Sequence, residues 1–334
     1  EDHMNQIYCV TGAAGHLGRT LVQDLLKQNK KIRILVLPNE RNIPIGDLEV
    51  FYGDVTDKES IIPFLTVDEG SELVVIHCAG IVSITTKYDE TVYRVNVLGT
   101  KNMVDCCREL KVKRFIYVSS VHALPEKENK ECIREIDTFD PEHVIGYYAK
   151  TKSEASAYVM QAIQEGLNAN IIHPSGICGP YDYGRGNLTS LVLDYMNNQL
   201  PIGTQGGYDF VDVRDVSYGI LSCIENGRVG ECYILSNEYY SVKTILDSLY
   251  QITHKKKVRI FIPYRLLKHT ALFVEYGYKL AKKPPLFTPY SLYTLNSNSN
   301  FSHFKASYEL DYKPRSMEES LRDTIQWLKD QHRI

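Results

Sequence analysis

Short β-branched runs alternate with helical stripes through the first half of the chain. Ile7-Tyr8-Cys9-Val10 is an unbroken apolar run of strand length. Leu17, Leu21, Leu25 and Leu26 follow at the spacing of one helix face, which predicts a helix over residues 17–28. Ile32 to Leu37, Val50 to Tyr52, Leu73 to Cys78, Arg114 to Val118 and Asn170 to His173 read as further strands, and Val92 to Leu110 and Tyr147 to Glu165 as helices. Strands that alternate with helices in this way predict an α/β fold: a parallel, doubly wound sheet with right-handed crossovers.

The alternation weakens after Pro174. Gly, Pro and Tyr cluster between Ser175 and Gly186. Phe210 to Val213 and Cys232 to Leu235 are strand candidates, and Pro263 to Lys283 is a helical stretch that Pro284-Pro285 ends. Lys305 to Leu328 reads as two helices around Tyr312-Lys313-Pro314. We therefore divide the chain into residues 4–174, with 206–236 returning to the sheet, and a smaller, mostly helical region made of 175–205 and 237–334.

Composition narrows the class. The 334 residues allow one large domain or two coupled ones. Thirty-eight Lys and Arg against 41 Asp and Glu leave a formal charge of −3, without the basic excess of a nucleic-acid surface, so no nucleic-acid partner is expected. The eight cysteines form no CxxC pair and no zinc-spaced cluster, so they are expected to be reduced thiols, and no metal is expected. No run approaches the ~20 apolar residues of a membrane span, and no signal-peptide pattern precedes the first strand; a cytoplasmic location follows as an expectation. Glu1-Asp2-His3 reads as an expression scar, with Met4 as the native start. Twenty-four tyrosines against one tryptophan are unusual, and many fall in the last hundred residues. An apolar ring with a polar tip suits half-wet surfaces such as substrate clefts.

Two segments carry chemistry. The first is Thr11-Gly12-Ala13-Ala14-Gly15-His16-Leu17-Gly18, which closes the first strand and opens the first helix. Gly12 permits a tight turn, Gly15 lets backbone N–H groups approach a pyrophosphate, and Gly18 allows close helix–strand packing. A helix N-terminus adds favourable potential for phosphates. This is a Rossmann-type dinucleotide site, with Ala14, His16 and Leu17 as its other contact residues. The second segment is Tyr148-Ala149-Lys150-Thr151-Lys152. Tyr148 and Lys152 stand one turn apart on one helix face, whereas Lys150 and Tyr147 have the wrong phase. A tyrosine titrates near 10, so acid/base work near neutrality needs its phenolate stabilised, which a lysine ammonium and an oxidised nicotinamide both do. Tyr148 could then deprotonate an alcohol as hydride leaves, or protonate a carbonyl oxygen as hydride arrives.

The TGxxGxxG spacing resembles the extended short-chain dehydrogenase/reductase family, the NAD-dependent epimerase/dehydratase superfamily, and the resemblance covers nearly the whole chain. It implies further roles. Asp54 and Val55, in Gly53-Asp54-Val55-Thr56-Asp57, match the family's adenine-contacting segment; Ala79 and Gly80, in His77-Cys78-Ala79-Gly80, match its strand-four signature; and Asn96, in Val95-Asn96-Val97-Leu98-Gly99-Thr100, matches its helix-four asparagine. Ser120 matches the serine that bonds the substrate oxygen, with Ser119 beside it in the cofactor site. Pro174, Ser175 and Gly176 match a loop that packs on the nicotinamide, although His173 replaces the family's usual Arg. Phe210 to Asp215 and the tail with Trp327-Leu328 also resemble family segments.

Strand two ends at Leu37 and Pro38 without the acid that would bond an NAD ribose 2′-OH, and Arg41 lies close enough to meet a 2′-phosphate. NADP(H) is thus slightly preferred over NAD(H). Within the family the chain looks most like dihydroflavonol reductases and 3β-hydroxysteroid dehydrogenases, which implies an alcohol/ketone oxidoreductase acting on a hydrophobic, steroid-like or aromatic small molecule. Two alternatives stay open: a nucleotide-sugar epimerase or dehydratase, with Arg214, Arg259, Arg265 and Arg315 as diphosphate ligands, and a non-catalytic NAD(P)-sensing protein. The helix over residues 266–283, with Lys268, Lys279, Lys282 and Lys283, is expected to be a lid or packing helix rather than a membrane-surface one. Family members are commonly homodimers, which sets that expectation here.

Overall fold

The computed structural model describes residues 5–280 and 288–334. The first half runs β1 (Asn5–Thr11), α1 (His16–Lys27), β2 (Lys31–Val36), β3 (Glu49–Tyr52), α2 (Lys58–Leu65), β4 (Ser71–His77), α3 (Glu90–Tyr93), α4 (Gly99–Glu109), β5 (Arg114–Val118), α5 (Tyr147–Gln164) and β6 (Ala169–Pro174). The second runs β7 (Gly176–Cys178), α6 (Asn187–Met196), β8 (Gly203–Thr204), β9 (Gly207–Asp212), α7 (Val213–Asn226), β10 (Cys232–Leu235), β11 (Glu238–Ser241), α8 (Val242–Thr253), β12 (Phe261–Ile262), α9 (Tyr264–Leu280), α10 (Pro289–Asn296), α11 (Phe304–Leu310) and α12 (Met317–Asp330).

Seven strands form one parallel sheet in the order β10-β6-β5-β4-β1-β2-β3. The chain grows outward from β1 to β3, then restarts on the other side of β1 at β4. That reversal opens a crevice above the carboxyl ends of β1 and β4, where ligands of such sheets bind. Side chains of one strand alternate between the two faces. Cys9, Val75, Phe115, Tyr117 and Ile171 therefore share one core layer with Met103, Val104 and Cys107 of α4 and Ala155 and Val159 of α5. Tyr8, Val10, Val74, Ile76, Ile116 and Ile172 share the other with Leu21 and Leu25 of α1 and Val216 and Ile220 of α7. Helices α6, α8 and α12 enclose a third core of their own, with Val192, Leu246, Leu249, Leu321 and Leu328 at its centre.

Three details differ from the sequence expectation. Residues 92–110 are helical but not uniform: Arg94–Leu98 forms a π turn between α3 and α4. A π turn inserts one extra residue and re-aims side chains near sites. Here it directs Asn96 sideways, where its carboxamide bonds both backbone groups of Ile81 (2.8 and 3.0 Å). Of the segment 206–236, α7 packs on the large sheet and β10 joins it, but β9 does not. It pairs instead with β7 and β11 in a three-stranded sheet. Asp209 fixes that arrangement by accepting from the Ser175 hydroxyl (2.5 Å) and the Asn237 N–H (2.9 Å). Lastly, α2, α6, α8 and α10 went unread, although Asp57, Ser241 and Thr288 cap three of them with side-chain hydrogen bonds.

All eight cysteines are free. Among the described residues no helix is long and apolar enough to cross a membrane, and no group of three or more His, Cys, Asp or Glu is placed to hold a metal ion. Glu1 to Met4, Lys282, Lys283, Pro284, Pro285 and Phe287 lie outside the described residues, as does the side chain of Lys279.

The tail is fastened by Tyr312, which is fully buried beside α11 and donates to the Ser236 carbonyl (2.9 Å). Tyr312→Phe leaves that carbonyl without its donor and should cost about 1–3 kcal/mol in urea unfolding. A change below about 0.5 kcal/mol would show that the bond contributes nothing.

Candidate active site

The glycine loop forms the floor of the crevice. Gly12 takes φ +67°, and a Cβ there would come within 2.7 Å of the Ala79 backbone nitrogen. A Cβ on Gly18 would lie 2.1 Å from the Gly12 carbonyl oxygen. These two positions require glycine because backbone passes backbone there. The Gly15 N–H donates to the Gly12 carbonyl (3.0 Å), which closes the turn. No side chain caps α1, so the N–H groups of its first turn, His16 to Gly18, are left to a ligand. The arrangement fits a dinucleotide pyrophosphate. The His16 side chain does something else: its Nε2 meets the Pro180 carbonyl (2.7 Å). One turn on, the Arg19 guanidinium stacks on the Tyr183 ring (4.5 Å). Arg333 donates to the carbonyls of Asp182 (2.6 Å) and Gly184 (2.7 Å), and Tyr183 stands edge-on to Trp327. The loop 179–186 is thus held between the glycine turn and α12.

A buried polar chain joins the loop to α4. The Ala79 N–H donates to Thr11 Oγ1 (3.1 Å), which lies 2.7 Å from His77 Nδ1. His77 Nε2 lies 3.1 Å from Thr100 Oγ1, whose hydroxyl donates to the Asn96 carbonyl (2.8 Å). Burial, with help from Lys152, pulls His77 down to about 3, so the ring is neutral. Because the Thr100 proton is committed to Asn96, Nε2 must carry the imidazole hydrogen and Nδ1 must accept from Thr11. Asn96 also donates to Thr151 on α5 (3.2 Å). A Cβ on Gly80 would meet Asn96 Oδ1 and Lys152 Nζ, both at 3.3 Å. Gly80, Asn96 and Lys152 therefore converge.

Tyr148, Lys152 and Ser120 are each more than nine-tenths buried at the carboxyl end of β5. Burial pushes the Tyr148 phenol up to about 12, opposed by the Ser120 hydroxyl. Burial pulls the Lys152 ammonium down to about 8. Lys152 donates to the Val118 carbonyl (3.3 Å) and lies 5.5 Å from the Tyr117 ring centroid. Ser120 Oγ accepts from the His122 N–H (3.1 Å), which caps a short turn. The neighbouring side chains point elsewhere. Ser119 Oγ faces Ser156 of α5 (2.7 Å), and Lys150 donates to the Pro141 carbonyl (2.8 Å). Ser119 is thus the structural neighbour of Ser120, not its substitute.

The remaining candidates divide. The Asp54 carboxylate accepts from Thr56 N–H and Oγ1, both 2.8 Å, as a turn residue at the edge of the crevice. Val55 is buried against Gly99. Pro174 and Ser175 are buried where β6 passes into β7, which Gly176 opens, and the Ser175 hydroxyl is occupied by Asp209. His173 Nδ1 meets the Ser120 carbonyl (2.9 Å), so it supports the Ser120 strand end from behind. Leu37 is 48 % exposed, and Arg41 is exposed on the loop after β2.

On the far side of His122 from Tyr148 lies a cleft of about 170 Å³, lined among others by Val121, His122, Tyr208, Tyr293 and Phe301. The His122 ring is edge-on to Tyr148 (5.6 Å) and parallel to Tyr208 (5.7 Å). Tyr290 lies across Gly146, where φ is +100° and a Cβ would collide with its ring at 2.1 Å. The residue before α5 must therefore be glycine, and α10 forms one wall of the site. His122, Tyr208 and Gly146 were not singled out from the sequence; Tyr290 stands in the Phe287-Thr288-Pro289-Tyr290 segment that resembles 3β-hydroxysteroid dehydrogenases, and the abundance of tyrosine was the other signal.

Fold and site define an NAD(P)-dependent oxidoreductase of the extended short-chain dehydrogenase/reductase class. The chain belongs to the NAD dependent epimerase/dehydratase family, whose family model matches residues 8–236. It is 29 % identical to sterol demethylase protein B of Methylococcus capsulatus over 332 residues, 97 % of this chain and 99 % of the relative. It is 30 % identical to 3beta-hydroxysteroid-dehydrogenase/decarboxylase isoform 1 of Arabidopsis thaliana over 351 aligned positions, 95 % of this chain and 78 % of that protein. Among solved structures, that of gox2253 superimposes with a TM-score of 0.84 at 28 % identity, covering 98 % of this chain and 99 % of the other.

Gly18→Ala should weaken dinucleotide binding by at least about tenfold in fluorescence titration, because its methyl meets the Gly12 carbonyl. Unaltered affinity would show that the loop does not hold the phosphates.

Proposed function

We propose that this enzyme interconverts a secondary alcohol and a ketone on a hydrophobic, steroid-like substrate, with Tyr148 as proton donor and acceptor. The observation that carries the reading is the burial of Tyr148, Lys152 and Ser120 together at the carboxyl end of β5, with His122 between Tyr148 and a cleft lined by Tyr208, Tyr293 and Phe301. Among the described residues that line the cleft, none is Lys or Arg. The names of its relatives, sterol demethylase protein B and 3beta-hydroxysteroid-dehydrogenase/decarboxylase, support the sterol-like class. A nucleotide sugar would need cations for its diphosphate. Arg214 is instead paired with Asp212 and Asp323, and Arg315 with Asp215.

Bound nicotinamide supplies or takes up the hydride. The protein's own task is the proton. With its phenol pushed up to about 12, Tyr148 is protonated at neutral pH and ready to give that proton to a carbonyl oxygen held by Ser120. In the other direction it must take a proton from an alcohol, and the Lys152 ammonium makes the phenolate less costly. The cofactor is NADP(H) on this reading, supported by the lack of an acid at Val36-Leu37 and by Arg41 on the following loop.

Tyr148→Phe should lower kcat for ketosteroid reduction by about 10²–10⁴-fold while the NADPH dissociation constant stays within about twofold. Retention of most activity would remove Tyr148 from the mechanism. The pH dependence has a definite sign. The Lys152 ammonium persists below about pH 8 and is lost above it. Ketone reduction should therefore stay level below that pH and decline above it, and Lys152→Arg should move the decline upward. A profile unaffected by that substitution would assign the titration to another group.

A further inference from the structure

His122 stands between two phenols. Its Nδ1 lies 2.9 Å from the Tyr290 hydroxyl and its Nε2 3.4 Å from that of Tyr208. Burial holds the ring down to about 4, so at neutral pH it has one donor and one acceptor. One tyrosine must give its proton to the imidazole, and the other must receive one from it. Phenol oxygens donate at shorter distances than ring N–H groups do, and the shorter contact, 2.9 Å against 3.4 Å, belongs to Tyr290. Tyr290 accordingly donates to Nδ1, and the Nε2 hydrogen faces the Tyr208 oxygen. The Tyr208 proton is then not needed by His122. Tyr208 is a buried residue of β9 whose ring lines the cleft, and one imidazole ring separates it from the Tyr148 ring.

We propose that Tyr208 is a specificity-determining residue that donates its hydroxyl proton to a second oxygen of the substrate, and that His122 is the positioning residue that frees this proton. The proposal rests on Tyr148 as the group that meets the reacting oxygen. The substrate class it selects is an alcohol or ketone with a hydroxyl or carbonyl oxygen on a carbon near the reacting one. Tyr290 serves as the anchor. Its ring lies on Gly146, the residue before α5, so the same contact fixes His122 and the start of the helix that carries Tyr148.

The test compares a 3-ketosteroid having no neighbouring substituent with its 4-hydroxy counterpart. Dissociation constants are measured on the NADP⁺-loaded full-length enzyme, and kcat/KM values with NADPH. The wild type should prefer the hydroxylated probe. In Tyr208→Phe that preference should fall by about 10- to 100-fold. In His122→Phe it should fall similarly, because nothing directs the Tyr208 proton. His122→Gln, which keeps an N–H toward Tyr208, should restore part of it. A purely structural role would weaken both probes alike and leave their ratio unchanged, which overturns the proposal. So does a wild type that binds both probes equally or neither. Binding is read without turnover, so a preference seen in binding with no reduction of either probe would refute the alcohol/ketone chemistry and leave the Tyr208 contact standing.

Discussion

The site depends on how closely the first turn passes the end of β4. Gly12 lies so near Ala79 that no side chain fits between them. The contact brings the glycine turn, the β4 terminus and α1 into one corner. Thr11 and His77 complete it by joining the two strand ends through a neutral imidazole whose hydrogen has only one place to go. The chain continues to Thr100 and Asn96, and Asn96 reaches Thr151 on the helix of Tyr148 and Lys152. The glycine turn and the helix of Tyr148 and Lys152 are therefore parts of one hydrogen-bonded frame.

Lys152 is unusual within that frame. It is buried with a carbonyl and an aromatic face as neighbours, and its ammonium is held below its ordinary range. A buried charge without a carboxylate costs stability, and such costs concentrate where proton transfer is performed. Tyr148 shows the reverse shift on the same helix. Burial thus drives apart two titrations that nearly coincide in water, and pushes both groups toward their neutral forms.

Much of this was legible in the sequence, for identifiable reasons. Parallel strands buried on both faces leave unbroken apolar runs, so β1, β4 and β5 were readable from Ile7 to Val118. The glycine turn was readable because backbone crossings tolerate one residue type. Tyr148 and Lys152 were readable because one helical turn sets their phase. Ser119 and Ser120 were separable only in three dimensions, where one hydroxyl lies against Ser156 of α5 and the other accepts from the His122 N–H. The π turn at Asn96 has no periodicity to announce it. His122, Tyr208 and Tyr290 come from three distant segments, each ordinary alone, and acquire meaning only where β9 leaves the large sheet and α10 crosses Gly146. The second sheet was missed for a similar reason: its pairing is dictated by the buried Asp209 carboxylate, not by an apolar pattern.

The loop 179–186 is gripped from both ends of the polypeptide. His16 and Arg19 hold one side, and Arg333 and Trp327 hold the other. Residues separated by almost the whole chain thus bear on one short segment beside the glycine turn. A change at Trp327 in the last turn of α12, or at Arg333 just beyond it, would therefore be felt beside the first turn of α1.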